Sequence, residues 1–538
     1  MSKKHARSDD VPDDALRHPS VKRAKEIDQQ TPMDRLSEAL KDNSSDHKPR
    51  NVLHWFRSKD LRIEDNKALH AASNKAKEGS GSLLTLYLFS PKDMEWHGTS
   101  AARSDFILEN LRIMKEQLAK KDIPLAIVTA EERKDKSDEV LKFAKDNDIS
   151  HIFANIEYEV DELRRDVKVA HLVQKEKDIS FEALHDQTVV EPGALHGSGG
   201  GPIKVFTPYH KAWLAETKNN PDMLKTVPAP EQNGKDVKKS FPKLFDMKVP
   251  ELPESKQFES KEDKERIRKL WPAGHDAGMK RLDTFLSDKV TTYAGDRSNP
   301  AKDPSSRLSA YFSAGVVSVR EVLERATKWN DGKHFDEGDD GVASWVREIV
   351  FREFYRHVMI LVPHGSMNLP QNLKFDNIKW EDDEEGWKKW YEGKTGEPFV
   401  DAGMRQLNTE AYMHNRLRMN TASYLRANMF IDYRKGERYF AERLIDWDLS
   451  NNTQGWEPNY TIFNPVVQAE KCDPNGDYIR KWVPELKDVQ GKAIFAPYDR
   501  LSKEEFEKLG YPKPHCNFKD SSARAKERMK ESTHSAES

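Results

Sequence analysis

Cysteine is almost absent. Two residues, Cys472 and Cys516, occur in 538, which excludes a disulfide framework and a cysteine-rich zinc site and points to a reducing compartment. Long apolar runs are missing too: no stretch of about eighteen apolar residues occurs, so no membrane-spanning helix is expected. The N-terminus, MSKKHARSDDVPDDALRHPSVKRAKEIDQQ, lacks the apolar core of a secretory signal and is too acidic for a good mitochondrial transit peptide. The expectation is a soluble protein that does not bind membranes. There is no excess of either charge. A net charge of −3 gives no overall attraction to nucleic acid, so any DNA contact must come from local basic clusters. No GxGxxG or Walker loop follows a candidate strand, and no metal-ligand set is assigned.

A chain of 538 residues is long enough for two or three domains, yet its hydrophobic content is only 36% against 33% charged. The apolar deficit is expected in tails and a linker rather than in the core. Residues 1–50 read as a disordered tail, with scattered charge and no sustained period. VLHWF (52–56), LLTLYLF (83–89), IPLAIV (123–128) and HIFA (151–154) are short apolar runs of the kind buried in a parallel sheet. Between them lie helical stripes such as Ile107, Leu111, Met114 and Leu118. Strand and helix alternating at this spacing predict a doubly wound α/β domain over roughly 51–185. Residues 186–264 read as a long linker, in which GSGGGP (197–202) is a flexible loop. Residues 265–515 carry long amphipathic segments such as SWVREIVFREFYRHVM (344–359) and form a mostly helical domain. A charged tail, 516–538, follows. The fold class is α/β plus all-α.

The most informative chemistry lies between Ala411 and Arg480. Asn415, Arg416 and Met419 fall on neighbouring positions of one helix face, where an amide, a guanidinium and a thioether suit a flat heterocycle. Asp446 and Asp448 bracket Trp447 beside Asn451 and Asn452, giving acceptors for ribose or ring N–H groups. A basic surface helix followed by a capped turn would read the same way. Residues 411–440 hold six Lys or Arg against two acidic residues, enough for a local phosphate-binding surface. Lys3–Lys4 and Lys22–Arg23 with Lys25 read as a nuclear localisation signal; the nucleus is the expected compartment, with the mitochondrion as the second.

Several phrases, in order, resemble the photolyase and cryptochrome family, and within it the class I cyclobutane pyrimidine dimer photolyases of eukaryotic, fungal-like type. They are WFRSKDLRIEDN (55–66), KVFTPYHKAWL (204–214), SRLSAYFSAG (306–315), FREFYRH (351–357), YMHNRLRM (412–419), DWDLSNN (446–452), IFNP (462–465) and YIRKWVPEL (478–486). The resemblance implies an α/β antenna domain, a helical domain holding folded FAD, and deoxyribodipyrimidine photo-lyase activity. In that reaction, light-excited reduced FAD passes an electron to a flipped-out pyrimidine dimer, which splits and returns it. DNA carrying pyrimidine dimers, double- or single-stranded, is the implied partner, and the protein is expected to be a monomer. The alternative is a FAD-binding cryptochrome-type blue-light receptor with weak or no repair.

Carried across by position, Tyr293 and Ser305, Ser306, Arg307, Leu308 and Ser309 resemble the family's FAD-phosphate site. Trp345, Glu348, Arg352, Arg418, Asp446, Trp447, Asp448 and Asn452 match flavin-pocket positions, with Asn452 expected beside flavin N5. Arg297, Glu348, Phe351, Asn415, Arg416 and Met419 match lesion and DNA contacts. Trp456, Tyr433 and Trp380 match the electron chain from flavin to surface. Four positions depart from the pattern. Phe351 replaces a lesion-stacking tryptophan; Tyr433 replaces the middle tryptophan of the chain. The loop after Trp456, EPNYTIFNP, is short, lacks a second pocket tryptophan and has Thr461 in place of an arginine. His97, Asp161 and Glu162 match folate contacts, yet Met367 replaces the helical domain's lysine. Methenyltetrahydrofolate is the expected second chromophore.

Overall fold

The computed structural model describes residues 17–535 apart from 42, 44–47, 80 and 198. Five strands, β1 Asn51–Phe56, β2 Leu83–Phe89, β3 Leu125–Thr129, β4 Ile149–Asn155 and β5 Ser180–Leu184, pair in parallel in the order β3-β2-β1-β4-β5. The chain therefore starts at the middle of the sheet and winds outward both ways. β1, β2 and β4 are buried almost throughout, because helices cover both faces, and that is why they read as continuous apolar runs. β5, SFEAL, buries only its first two residues at the sheet edge, so it is not an apolar run. Ile107, Leu111, Met114 and Leu118 are buried along the helix Ala101–Ala119.

From Lys261 to Ser535 the described chain forms helices and turns with no strand. Its axis is the helix Asp340–Leu361, started by Asp339, whose carboxylate accepts the N–H groups of Gly341 and Val342 in the manner of an N-cap. One apolar cluster runs from the sheet through this helix, and a second gathers Trp387, Trp390 and Trp456 behind it.

The two units are locked by buried charge. Arg62 after β1 pairs with Asp186 in the turn after β5, and Arg320 of the helical part reaches Asp186 at 2.6 Å and Asp65 at 3.0 Å. All four are withdrawn from water. Close by, Gly315, at φ +66°, packs so tightly on the Lys59 carbonyl that a Cβ would overlap it, so only glycine fits.

Three expectations change. The disordered tail expected over 1–50 gives way, in its described part, to the helices Val21–Gln29 and Pro32–Lys41. Ala24, Ile27, Leu36 and Ala39 are buried, but each helix is too short to display a sustained period, and its order comes from tertiary packing. Leu36 joins Ile156, Tyr158, Leu163 and Met359 in a small cluster bridging both units. Asp28 meets His364 at 2.6 Å, and Gln174 donates to the Ala39 carbonyl at 3.0 Å. Lys22, Arg23 and Lys25 lie exposed on the first of these helices; Lys3–Lys4 lie outside the described residues. The charged tail expected over 516–538 contains the helix Phe518–Ser535, which places Ala525 and Met529 against Phe430 and Trp380. The linker expected over 186–264 contains the helix Phe206–Asn219.

The N-terminal strap carries its own pH dependence. Burial opposes charge on His364, but the hydrogen bond and negative charge of Asp28 outweigh it and raise the ring above 6.5. The pair's contribution is therefore complete below pH 6.5 and is lost as pH rises through the higher folded value. Hydrogen exchange over residues 17–41 should quicken on raising the pH beyond the intrinsic rate change, and Asp28→Asn should remove that excess. Leu36→Ala, which costs about 2–5 kcal/mol at a fully buried site, should loosen the helical backbone and speed tryptic cleavage after the already exposed Lys22 and Arg23; unchanged cleavage would contradict the docking.

Candidate active site

The site forms where four segments meet: the loop 303–309, the helix Asp340–Leu361, the helix Asn415–Ser423 and the turn 446–452. Each is set by its local sequence. Ser305 accepts the Arg307 N–H at 3.0 Å, and Arg307 itself takes φ 51°, folding the serines into a tight turn. Trp345, Glu348 and Arg352 are spaced to share a face of the long helix. Asp448 caps the helix Leu449–Trp456 by accepting the Asn451 N–H at 3.0 Å, and it also accepts the Asn451 amide and the Ser450 hydroxyl, both at 2.7 Å.

Hydrogen bonds close these segments into a ring. The Trp345 indole donates to Ser306 at 3.3 Å, and Tyr412 reaches Ser305 at 3.4 Å. Arg418 pairs with Asp446 at 2.7 Å and also donates to the Met413 carbonyl. Arg356, unassigned from sequence, lies 3.5 Å from Asp448. Its position one turn after Arg352 in FREFYRH was the available signal. Arg103 of the α/β unit sits over Trp447 at 6.0 Å, a contact across units with no sequence signature. Tyr293, Leu308, Trp345, Asp446, Trp447 and Asp448 are buried. The Asn452 amide donates to the Glu437 carbonyl at 2.9 Å, which fixes how its other face is presented.

Two features ask for a ligand. Burial opposes ionisation of Asp448, but Arg356 and Arg352 overcome it and, with the N–H of Asn451 and the Ser450 hydroxyl, hold it down to about 2. Burial and the adjacent Arg356 pull the Arg352 guanidinium down to about 9, the mark of a cation short of negative partners. The Nε of Arg352, the hydroxyl of Ser309 and the Oδ1 of Asp446 are buried without a hydrogen-bond partner, each a cost a ligand would relieve. Donors and acceptors of this mix fit a ring with both carbonyl and N–H edges, a hydroxylated chain and phosphates. Arg307 is already engaged, at 2.9 Å from Asp303 and 3.1 Å from Glu410.

The outer rim is different. Asn415 and Met419 are exposed and Arg416 half-buried; Arg416 donates to Ser298 at 3.0 Å. Arg297 pairs with Glu348 at 2.8 Å. Phe351 stacks on Phe206 with 7° between ring planes, and Arg347 lies over both rings. The short loop after Trp456 is held by Arg426, which donates to the carbonyls of Asn459 and Thr461. Tyr433 contacts Trp380, with centroids 6.1 Å apart, while Trp456 contacts Phe440 and Trp390.

Residues 52–231 match the DNA photolyase family, and residues 345–531 match the FAD binding domain of DNA photolyase. The chain is 39% identical over 509 residues to the deoxyribodipyrimidine photo-lyase of Neurospora crassa, covering 90% of this chain and 82% of that one. It belongs to the DNA photolyase family. Among solved structures, a class III photolyase from Agrobacterium tumefaciens superposes with a TM-score of 0.75 at 26% identity, covering 91% of this chain and 99% of that one. A cryptochrome from Synechocystis gives 0.74 at 25%, with 90% and 100% covered. The cofactor of this photolyase-family chain is FAD, consistent with its unpaired donors and acceptors.

The second-chromophore positions are only partly assembled. Asp161 is taken by Arg133 at 2.7 Å, Glu162 is buried, and the side chain of His97 lies outside the described residues. At the carboxyl ends of the strands a cavity of about 110 Å³ is lined by Trp55, Arg57, Lys59, Glu159 and, from the flavin turn, Trp447. That is well below the roughly 300–1,000 Å³ of cofactor pockets; the protein's own side chains fill the crevice. Among the described residues no group of three or more His, Cys, Asp or Glu could hold a metal, and no helix is long and apolar enough to cross a membrane.

Replacing Asp448 by Asn leaves two buried arginines unbalanced, a change that costs about 3–5 kcal/mol in such settings. Because the Asp448 carboxyl is depressed from 3.8 to about 2, its contribution is present above pH 3.8 and fades as pH falls through that range. The melting temperatures of wild type and Asp448→Asn should differ at neutral pH and converge in acid.

Proposed function

We propose that this chain is a light-driven repair enzyme that splits cyclobutane pyrimidine dimers in DNA. The single observation that carries the reading is the layered site: a buried, charge-poised ring of flavin-type partners lies beneath a rim of exposed Asn415, Arg416 and Met419. The rim suits an extruded pyrimidine dimer, since an amide and a guanidinium meet pyrimidine carbonyls and phosphate while the thioether meets a ring face. A dimer is already poorly stacked and paired, so bringing it out of the duplex costs little.

Within this reading, Asp446, Asp448, Asn452, Arg352 and Arg418 hold the isoalloxazine and ribityl portion. Ser305, Ser306, Ser309 and Tyr293 meet the pyrophosphate, with Arg307 acting through Asp303 and Glu410 to shape the turn. FAD supplies the electron when bound. The protein's part is to place donor and lesion close together and keep charge in check. Glu348, whose carboxyl is raised above its usual range by burial despite Arg297, accepts Arg297 at 2.8 Å and leaves its other oxygen as a hydrogen-bonding group at the rim. Folate stays the proposed second chromophore, at the edge marked by Asp161 and by Glu162, which also lines the strand-end cavity. A nuclear protein is proposed, since Lys22, Arg23 and Lys25 remain exposed.

The cryptochrome-type reading is favoured by Phe351, occupied on one face by Phe206, and by the short loop after Trp456. Purified protein should show flavin absorption, and chemically reduced protein under blue light should restore thymines in a dimer-containing oligonucleotide. Flavin without restoration would leave the receptor reading ahead; no flavin would end both. Arg416→Ala should weaken binding to damaged DNA by about tenfold, the ~1.5 kcal/mol of one charge-assisted hydrogen bond, while FAD content stays unchanged. Loss of flavin in that variant would place Arg416 in the wrong layer.

A further inference from the structure

The electron chain implied by the resemblance runs Trp456, Tyr433, Trp380, but the rings around Trp456 are arranged otherwise. Its indole lies on Gly436, where a Cβ would collide with the ring. It meets Trp390 at 6.0 Å between centroids. Trp390 in turn stacks on Trp387 at 5.4 Å and 18°. Trp387 touches Tyr391 at 5.6 Å and Tyr439 at 5.9 Å. Tyr391 is half-buried and opens toward solvent, whereas Trp387 and Trp390 are almost wholly enclosed. This gives a continuous file of rings from Trp456 to the half-buried Tyr391, separate from the Tyr433–Trp380 contact.

We propose that Trp390 and Trp387, rather than Tyr433, carry oxidising equivalents from Trp456 to Tyr391 at the surface. Tyrosine is a poor internal relay unless a base takes its proton as the electron leaves. The Tyr433 hydroxyl is buried and has no hydrogen-bond partner, and the Arg434 guanidinium lies over its ring at 4.9 Å, opposing positive charge there. The carboxyls that face it are those of Glu437, Glu457 and Asp432. Burial pushes Glu437 up to about 8 and raises Glu457, while Asp432 is committed to Arg434. Trp390 has the opposite setting: its N–H donates to the Thr421 carbonyl at 3.0 Å, so a cationic indole keeps an acceptor and needs to lose no proton to relay charge.

The step balances, with the Tyr391 O–H bond the only one broken and later remade. One electron leaves Trp456 for photoexcited oxidised flavin. The vacancy is filled in turn from Trp390, Trp387 and Tyr391. Tyr391 releases its phenolic proton to water and is restored by an electron and proton from a thiol in solution.

The inference rests on the FAD reading, whose failure would appear separately as the absence of flavin bands in wild type. The test is blue-light photoreduction of the flavin-loaded, full-length protein with dithiothreitol as donor, alongside transient absorption of the radicals. Tyr433→Phe should reduce at the wild-type rate and keep the tyrosyl signal. Trp390→Phe should slow reduction by about tenfold or more, equivalent to ~1.4 kcal/mol or more on the barrier, and Tyr391→Phe should abolish the tyrosyl signal. If Trp390→Phe does not fold, Trp387→Phe takes its place with the same expectation. A slow Tyr433→Phe, or an unaltered rate in folded, flavin-loaded Trp390→Phe, overturns the proposal.

Discussion

Two arginines and two aspartates, all out of water, fix the relation of the sheet to the helical bundle. Arg62 and Asp65 come from the segment after β1, Asp186 from the turn after β5, and Arg320 from the helix Val319–Trp329. Asp186 is shared by both arginines and Arg320 by both aspartates, so no single pair can be removed cleanly; breaking such a buried contact typically costs about 3–5 kcal/mol because a charge is left uncompensated. The same turn extends the lock into the active site. Gln187, next to Asp186, accepts Arg352 on its backbone carbonyl at 2.6 Å and Arg356 on its side chain at 3.2 Å. The position of the sheet thus sets the two guanidinium groups that face Asp448.

This arrangement concentrates buried charge around Asp448, while Asn415 and Met419 at the rim are exposed. Inside, Asp448 is held ionised by two arginines, Arg418 pairs with Asp446 at 2.7 Å, and the cofactor is asked to complete what the side chains leave unpaired. Outside, Asn415 and Met419 face water and await a ligand that arrives and leaves. A permanent cofactor belongs where desolvation makes hydrogen bonds strong; a transient lesion belongs where little has to be reorganised.

The sheet and the long helices could be read from apolar runs and stripes because burial on two faces, or on one helical stripe, writes directly into composition. Asp446, Asp448, Asn452 and Asn415–Met419 stood out through local spacing and resemblance, and the structure pairs Asp446 with Arg418 and sets Arg356 against Asp448. Arg103, Arg356 and Gln187 did not stand out, since their roles arise from contacts between segments far apart in the chain. The strap Val21–Lys41 escaped for a related reason: two short helices without a long period owe their order to Leu163, Met359 and His364. The file of Trp387, Trp390 and Tyr391 reads as ordinary core in sequence, and only the ring geometry distinguishes it.

In the proposed reading flavin and lesion lie side by side, the flavin on the buried ring and the lesion on the exposed rim. The excited-state lifetime of reduced flavin in the full-length protein tests it most directly. A dimer-containing oligonucleotide should shorten that lifetime and an undamaged one should not, with the effect weakened in Asn415→Ala at equal flavin content. An unchanged lifetime at saturating damaged DNA would contradict that placement.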